Sequence, residues 1–518
     1  MKILTSAEMA SCDRAAQRQA RIPSLLLMER AAEGVTELIV EKYPQARNVA
    51  VICGPGSNGG DGLAAARLLA QRGFGIRIVT LGPLDLYRGD PKINLESAQA
   101  LKLPIVEGSS RRGSTALSGA LEWADLVVDA LFGTGLSRPL SGPARQTVEA
   151  INSSGRPVVA VDMPSGATGD SGAVRGAVVC AAWTAAIAAL KWSHVFEPAR
   201  GRCGEIAVVD IGIPDEILER ARYRLNFITG SAVAGLFPRR PEDSHKGSFG
   251  HVAVVAGSRG KAGAALLAAE GALRAGSGLV TIACPESLES RFASRLPEAM
   301  TWPLPETDGR VSAGAADSVL ELFRECDSAV VGPGIGTGET VRAFLERIVR
   351  LSTLPILIDA DALNAFAGEP GFFRRRNGET ILTPHPGEAA RLLGSSSARV
   401  QSSRVEAVRE IARRSDSVAL LKGSGSLTAD PAGNVWFNPT GSAAMATGGS
   451  GDLLSGIGAG LLASGLESVD AAVAAAYIHG LAGEMAADGT DRGILVSEMA
   501  CQVPRVFASF FENGGTGR

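Results

Sequence analysis

Aromatic residues are scarce, 5% of 518 positions, and there are only five histidines and eight lysines. Few large rings argue against a β-sandwich packed on aromatic side chains. The seven cysteines stand singly at Cys12, Cys53, Cys180, Cys203, Cys284, Cys326 and Cys501. With no Cys-x-x-Cys pair, neither a disulfide framework nor a zinc site is supported. The histidines form no His-Glu-x-x-His or other ligand cluster. No stretch approaches the ~20 uninterrupted apolar residues of a membrane span. The opening MKILTSAEMASCDRAAQ is amphipathic and polar-interrupted, unlike a signal peptide. A formal charge of −3 and a pI near 6.1 exclude the strong basic field of a dedicated nucleic-acid binder. These absences predict a cytoplasmic protein with no nucleic-acid or membrane partner.

Glycine is abundant, with 63 copies, and hydrophobic residues reach 45% against 20% charged. That composition buries a full core and suits many tight βα turns. At roughly 150 residues per domain, the length predicts more than one domain. In the first half, β-branched runs at 49–53, 76–81, 126–129, 158–162 and 206–210 read as strands. Residues 64–72 and 145–153 read as helices. Such alternation predicts a doubly wound, Rossmann-like parallel sheet. The rhythm fails over 213–227, which carries the charged run DEILERARYR. It restarts with strands at 251–256, 279–283, 328–332, 356–359 and 418–422, and helices at 264–275, 340–350 and 453–463. Domains at 1–222 and 228–518 follow, both α/β and expected to be separable as active halves by a cut between Arg222 and Gly230. The Ala-rich stretch 470–488 reads as a buried closing helix, with His479 a packed core residue.

Residues 54–62, GPGSNGGDG, lie between a strand and a helix, where glycines let the backbone turn sharply and helix N–H groups meet an anion. Asn58 and Asp61 depart from the dinucleotide fingerprint. Asp61 would repel phosphate and is expected to aim at a hydroxyl or a ring. Asp129 ends a strand before LFGTGL, and Asp162 ends another before MPSG. Three strand ends thus deliver Asn58, Asp61, Asp129, Asp162 and Ser165 to one sheet edge, where open α/β folds bind ligands.

GPGSNGGDG, DALFGTGL and VDMPSG, in this order and spacing, resemble the signature loops of the NAD(P)H-hydrate epimerase family over residues 1–220. The resemblance implies that Ser57, Asn58, Gly59, Gly60 and Asp61 contact the hydrated nucleotide. It extends that contact to Gly133, Thr134, Gly135, Leu136, Ser137, Arg138 and Pro139. It implies a potassium ion on Asn58, Asp129 and Ser165, and Asp162 as the catalytic residue near the epimerising carbon. Ser57 departs from the family's second Asn but keeps a hydrogen-bonding group. Lys191 matches a family lysine.

In the second half, 263–278 is a small-residue helix whose face could let a flat ligand lie close. Residues 332–338, GPGIGTG, end a strand, and His385 lies between two prolines in TPHPGE. A turn histidine satisfied by backbone remains open there. The sharpest feature is TGGSGD at 447–452, opening a helix: its glycines form an anion nest, and Asp452 stands where a hydroxyl would approach the phosphate. A carboxylate there can take the hydroxyl proton. An N-cap Asp on a Gly-rich turn is the alternative.

HKGSFGHVAVVAGS, VVGPGIG, DADALN, LTPHPGE, LLKGSGS and TGGSGD resemble the NAD(P)H-hydrate dehydratase family, which is ribokinase-like, over residues 230–510. The resemblance implies substrate contacts at Gly263 or Ala264, Gly334, His385 and Asp452, with Asp452 as catalytic base. It places nucleotide contacts at Lys422, Gly423, Ser424, Gly425, Ser426 and Gly451. Nearly the whole chain resembles the bifunctional NAD(P)H-hydrate repair enzymes. Its substrates would be hydrated NADH or NADPH and ADP, with Mg2+ accompanying the nucleotide and K+ in the first half. The oligomeric state is open, as is the choice between ADP and ATP. Two other readings stand: a vitamin or sugar kinase fused to a dinucleotide-binding domain, which would accumulate a phosphorylated product, and a non-catalytic nucleotide-sensing first half.

Overall fold

The computed structural model describes residues 1–108, 111–136, 138–220 and 224–512. Ser137 and Arg222, named above, and part of the charged stretch at 221–223 lie outside them. The chain divides into two compact units, Met1–Arg224 and Leu225–Arg518.

In the first unit, seven parallel strands form one sheet: β1 (Asn48–Cys53), β2 (Gly75–Thr80), β3 (Ile105–Glu107), β4 (Leu126–Ala130), β5 (Val158–Val161), β6 (Trp183–Ile187) and β7 (Glu205–Val209). Their spatial order is β3-β2-β1-β4-β5-β6-β7. The order reverses between β1 and β4, and a doubly wound sheet opens its ligand crevice at that point. Strand pleating explains why both faces are covered: Val49, Val51 and Cys53 enter one apolar cluster, while Ala50 and Ile52 enter another across the sheet. Two strands went unread in the sequence. Trp183–Ile187 is Ala-rich and Ile105–Glu107 has only three residues.

The second unit holds a ten-stranded sheet, the α/β build expected of a ribokinase-like domain. Its strands are β8 (Leu225–Phe227), β9 (His251–Val255), β10 (Leu279–Pro285), β11 (Met300–Leu304), β12 (Ser328–Val331), β13 (Ile356–Ile358), β14 (Thr380–Leu382), β15 (Val418–Leu421), β16 (Leu427–Ala429) and β17 (Val435–Phe437), in the order β8-β17-β16-β15-β14-β13-β12-β9-β10-β11. Pairings from β11 through β15 are parallel, and β16 runs antiparallel to both its neighbours. The strand β8, inside the stretch read as connector, pairs with β17.

Two helices of this unit, Ala262–Arg274 and Ser450–Ala463, touch backbone to backbone. A Cβ on Gly456 would come within 1.9 Å of the Ala268 carbonyl oxygen, and one on Gly271 within 2.4 Å of that of Leu453. The small-residue face of the first helix is therefore spent on this seam, and not on a flat ligand as its composition suggested. Among the described residues, no helix is long and apolar enough to cross a membrane.

Candidate functional site

The glycine-rich segment after β1 is less a loop than a helix start. The helix Ser57–Gln71 begins at Ser57, so Ser57, Asn58, Gly59, Gly60 and Asp61 occupy its first turns. Their close approach to the loop needs glycine: a Cβ on Gly59 would lie 1.7 Å from the Gly54 carbonyl oxygen. Asn58 is buried, and among the described residues neither its amide nitrogen nor its amide oxygen has a hydrogen-bond partner. Unpaired buried amides are costly, so this side chain is built to meet something else.

Below the helix start, Asp129 at the end of β4 accepts from the Ser165 hydroxyl at 2.6 Å and the Ser165 N–H at 2.8 Å. Ser165 Oγ in turn accepts from the Phe132 N–H at 2.9 Å, clamping the two loops. Burial pushes the Asp129 carboxyl up to about 6 despite these hydrogen bonds.

Asp162 follows β5 in the left-handed region, with φ 66°, and its carboxylate accepts from the Thr134 N–H at 3.3 Å and from the Lys191 ammonium. Lys191 is fully buried and also donates to the Ile187 carbonyl at 2.6 Å. Beside it, burial and the Lys191 charge push His194 down to about 3, so its neutral Nδ1 can accept the Lys191 backbone N–H at 3.0 Å.

Above these groups opens a cavity of about 500 Å³ at the switch point. Ser57, Asn58, Asp61 and Asp162 line it, as do Gly133 to Leu136. Gly59, Gly60, Arg138 and Pro139 do not line it, and Asp129 and Ser165 lie behind the wall. Sequence reading missed Asp13 and Met9, which line it from the helix Ser6–Arg18. Burial drives the Asp61 carboxyl well above its ordinary value, with Asp162 and Asp13 adding to the rise.

In the second unit, the ends of the parallel strands converge on an ion pair between the buried Asp359 and the half-buried Lys422. Lys422, just past β15, donates to Asp359, just past β13, at 2.6 Å; Ser455 donates to the other Asp359 oxygen, also at 2.6 Å. Burial opposes the Lys422 charge, yet Asp359 and Glu388 outweigh it and hold the ammonium above its ordinary range. Gly451 is in contact with this pair: a Cβ there would stand 3.2 Å from Lys422 Nζ. Asp452 is the third residue of the helix Ser450–Ala463, so the motif TGGSGD straddles the helix start. Burial, and then Asp359, pushes its carboxyl up to about 6. His479 is buried as expected, and its ring meets the Ser450 hydroxyl at 3.2 Å.

Around this centre, Gly334 faces Ala264: its missing Cβ would lie 3.0 Å from that of Ala264. Gly263 stands beside it on the same helix start. His385 caps the helix Pro386–Leu393, with Nδ1 accepting the Gly387 N–H at 3.0 Å and its own N–H donating to Glu388 at 2.8 Å. The backbone-satisfied turn histidine is thus observed, although its ring is half exposed. Gly423, Ser424, Gly425 and Ser426 form the turn between β15 and β16, where the Ser426 hydroxyl donates to the Gly423 carbonyl at 3.0 Å. Asp359, Asp361 and Glu388 lie in the quoted DADALN and LTPHPGE motifs but were not singled out. An Asp directly after a short strand was the available signal.

A family model described as NAD(P)H-hydrate dehydratase matches residues 252–505, and one described as YjeF-related protein N-terminus matches 24–193. The chain is 40% identical to the bifunctional NAD(P)H-hydrate repair enzyme Nnr of Moorella thermoacetica, over 99% of this chain and 98% of that one. It is 35% identical to the enzyme of the same name from Escherichia coli, over 93% and 89%. A solved ADP/ATP-dependent NAD(P)H-hydrate dehydratase from Bacillus subtilis, co-crystallized with ATP/Mg2+, is 32% identical, with a TM-score of 0.49 over 55% of this chain and 98% of that one.

Proposed function

The chain belongs to the family of bifunctional NAD(P)H-hydrate repair enzymes, and on that premise we propose how its two sites divide the work. The first cavity interconverts the R and S epimers at C6 of the hydrated nicotinamide. The second site dehydrates the S form with ADP, giving AMP and phosphate. The observation that carries this reading is a pair of different carboxyl-edge sites. One is a cavity lined by carboxylates and Lys191; the other is a glycine-led helix start that presents Asp452.

In the second site, N–H groups of the helix Ser450–Ala463 meet the transferring phosphate, and Asp452 takes the proton of the C6 hydroxyl. Lys422 and Asp359 fix the geometry beneath, held together by Ser455. Phosphate is a better leaving group than hydroxide, so its departure restores the conjugated ring. The carboxylates Asp359, Asp361, Glu388 and Asp452 outnumber the ammoniums Lys422 and Lys261, which suits a nucleotide accompanied by Mg2+. Glu388, beside Lys422 and Asp359, is the residue that would help hold that ion, which would neutralise charge on the phosphates and leave Asp452 as the base.

In the first site, the donor set fits a monovalent cation. Asn58 offers an unpaired buried oxygen, and Asp129 is a carboxylate whose burial calls for positive charge. Asn58, Asp129 and Ser165 would hold K+, which would supply a fixed charge beneath the bound nucleotide. Incubating mixed epimers with and without ADP tests the whole reading. Without ADP, each epimer should relax to the equilibrium mixture; with ADP, both should be consumed and reduced nicotinamide appear. A phosphorylated product that accumulates would instead favour a kinase. Replacing K+ by a bulky organic cation should slow epimerisation and leave dehydration of the pure S form unchanged.

A further inference from the structure

Four ionisable groups face the first cavity, each from a different element: Asp13, Asp61, Asp162 and Lys191. Their partners differ. Asp162 is bound by Lys191 and by the Thr134 N–H. Asp13 accepts no hydrogen bond and forms no ion pair among the described residues, yet it lines the cavity.

Its position is built in. Ile3–Leu4 pairs in parallel with Leu190–Lys191, with Leu4 opposite Lys191, so the strand that carries the lysine also anchors the chain entering the helix Ser6–Arg18. A capping box sets the start of that helix: the Glu8 N–H donates to Thr5 Oγ1 at 3.2 Å and the Thr5 N–H to Glu8 Oε2 at 3.0 Å. Met9 and Asp13, four residues apart, then share the face turned to the cavity, while Cys12 and Ala16 face the core.

We propose that Asp13 is a catalytic residue of this cavity, the carboxylic acid whose proton lets the C6 hydroxyl leave as water. This rests on the epimerase reading above. The C6–O bond breaks as Asp13 gives up its proton, and the ring nitrogen lone pair forms a C=N bond to C6. Water then adds to the opposite face, its proton passes to the Asp162 carboxylate, and the C=N electron pair returns to nitrogen. No electrons are gained or lost, and solvent returns the proton from Asp162 to Asp13. In the opposite direction the two carboxyl groups exchange roles.

Burial raises the Asp13 carboxyl to about 6 against the pull of Lys191 and Arg14, with Asp162 adding to the rise. Asp61 also faces it, from the helix Ser57–Gln71, and Arg14 and Cys12 are its charged and titratable neighbours on its own helix. The proton needed for the step is therefore available toward neutral pH and is lost as pH rises through that value.

The test uses full-length Asp13→Asn and Asp13→Glu, without nucleotide, following each purified epimer by chromatography across a range of pH. Asp13→Asn should lower kcat for epimerisation by about 10²-fold or more with little change in KM, and should erase the limb on which the wild-type rate falls above its titration. Asp13→Glu should restore part of the rate and keep a limb. Wild-type kcat with an unchanged limb in Asp13→Asn overturns the proposal, as does a loss confined to KM. If Asp13→Asn does not fold, Asp13→Glu with the full wild-type rate and a limb at the wild-type pH counts against it, the expected result being a reduced rate with a displaced limb. A wild-type chain that dehydrates the S form but never epimerises would instead overturn the epimerase reading itself.

Discussion

Both units gather ionisable side chains at the carboxyl edge of a sheet, and both hold a lysine against a buried aspartate there, Lys191 fully buried and Lys422 half-buried. They differ in what the lysine leaves free. In the first unit, Lys191 pairs with Asp162 inside the cavity, so the pair itself faces the ligand. In the second, Lys422 and Asp359 lie behind Gly451, and Asp452 stands out from the helix start. In the proposed function, the first arrangement would set proton donors and acceptors around a ring, and the second would offer a backbone anion nest with a base, as phosphoryl transfer requires. A lysine–aspartate pair thus faces a cavity in one unit and lies against a helix start in the other.

The largest effect expected from breaking this contrast is on the half-buried Asp452. Asp452→Asn should cut ADP-dependent dehydration by about 10²–10⁴-fold while epimerisation persists, measured on one full-length preparation. The same change should stabilise the fold. The Asp452 carboxyl titrates near 6 in the folded chain against an ordinary 3.8, so the folded state binds that proton more tightly than the unfolded state. Its cost is absent below the ordinary value, grows between the two, and is complete above about 6. Asp452→Asn should therefore gain about 1–3 kcal/mol above pH ~6, with the gain vanishing in acid, as read by denaturant midpoints.

Next comes the pair that faces the ligand. Lys191→Met leaves Asp162 buried without its counter-charge, which should cost about 3–5 kcal/mol and abolish epimerisation. Adding Asp162→Asn should recover much of the stability and none of the activity. Recovery of both would make the pair structural in this unit too. Denaturant unfolding alongside epimer interconversion separates the outcomes.

The smallest expected effect is from dividing the chain. Met1–Arg224 and Leu225–Arg518, expressed apart, should each keep its own activity, because each contains a complete edge site. A cut nearer 230 would remove β8, which pairs with β17, and should lower the solubility of the second fragment. If neither intact fragment works until they are mixed, the sites are not independent.

The architecture was largely legible because strands buried on both faces read as continuous β-branched runs, and glycine clusters mark where they end. Val49–Cys53, GPGSNGGDG and TGGSGD each announce themselves within a few residues. The start of a helix was harder to read. Glycine and serine have weak helix propensity, so the segments at 57–61 and 450–452 looked like loops, although packing makes them first turns.

Local pattern alone specified the elements, their edges, and the presence of Asn58, Asp129, Asp162 and Asp452 at those edges. It did not specify which of them would meet. Lys191 reaches Asp162 across 29 positions, Lys422 reaches Asp359 across 63, and Ser455 reaches the same carboxylate across 96. Those distances are set by strand order, a long-range property with no signature in any window of sequence. Asp13 was invisible for the same reason: on an amphipathic helix it reads as an ordinary solvated acid, and it lines the cavity because Ile3–Leu4 docks beside the strand of Lys191. The small residues around Gly271 likewise fit either a ligand or a helix, and only the arrival of Gly456 against Ala268 selects the helix, because backbone can approach that closely only where neither chain carries a side chain in the way.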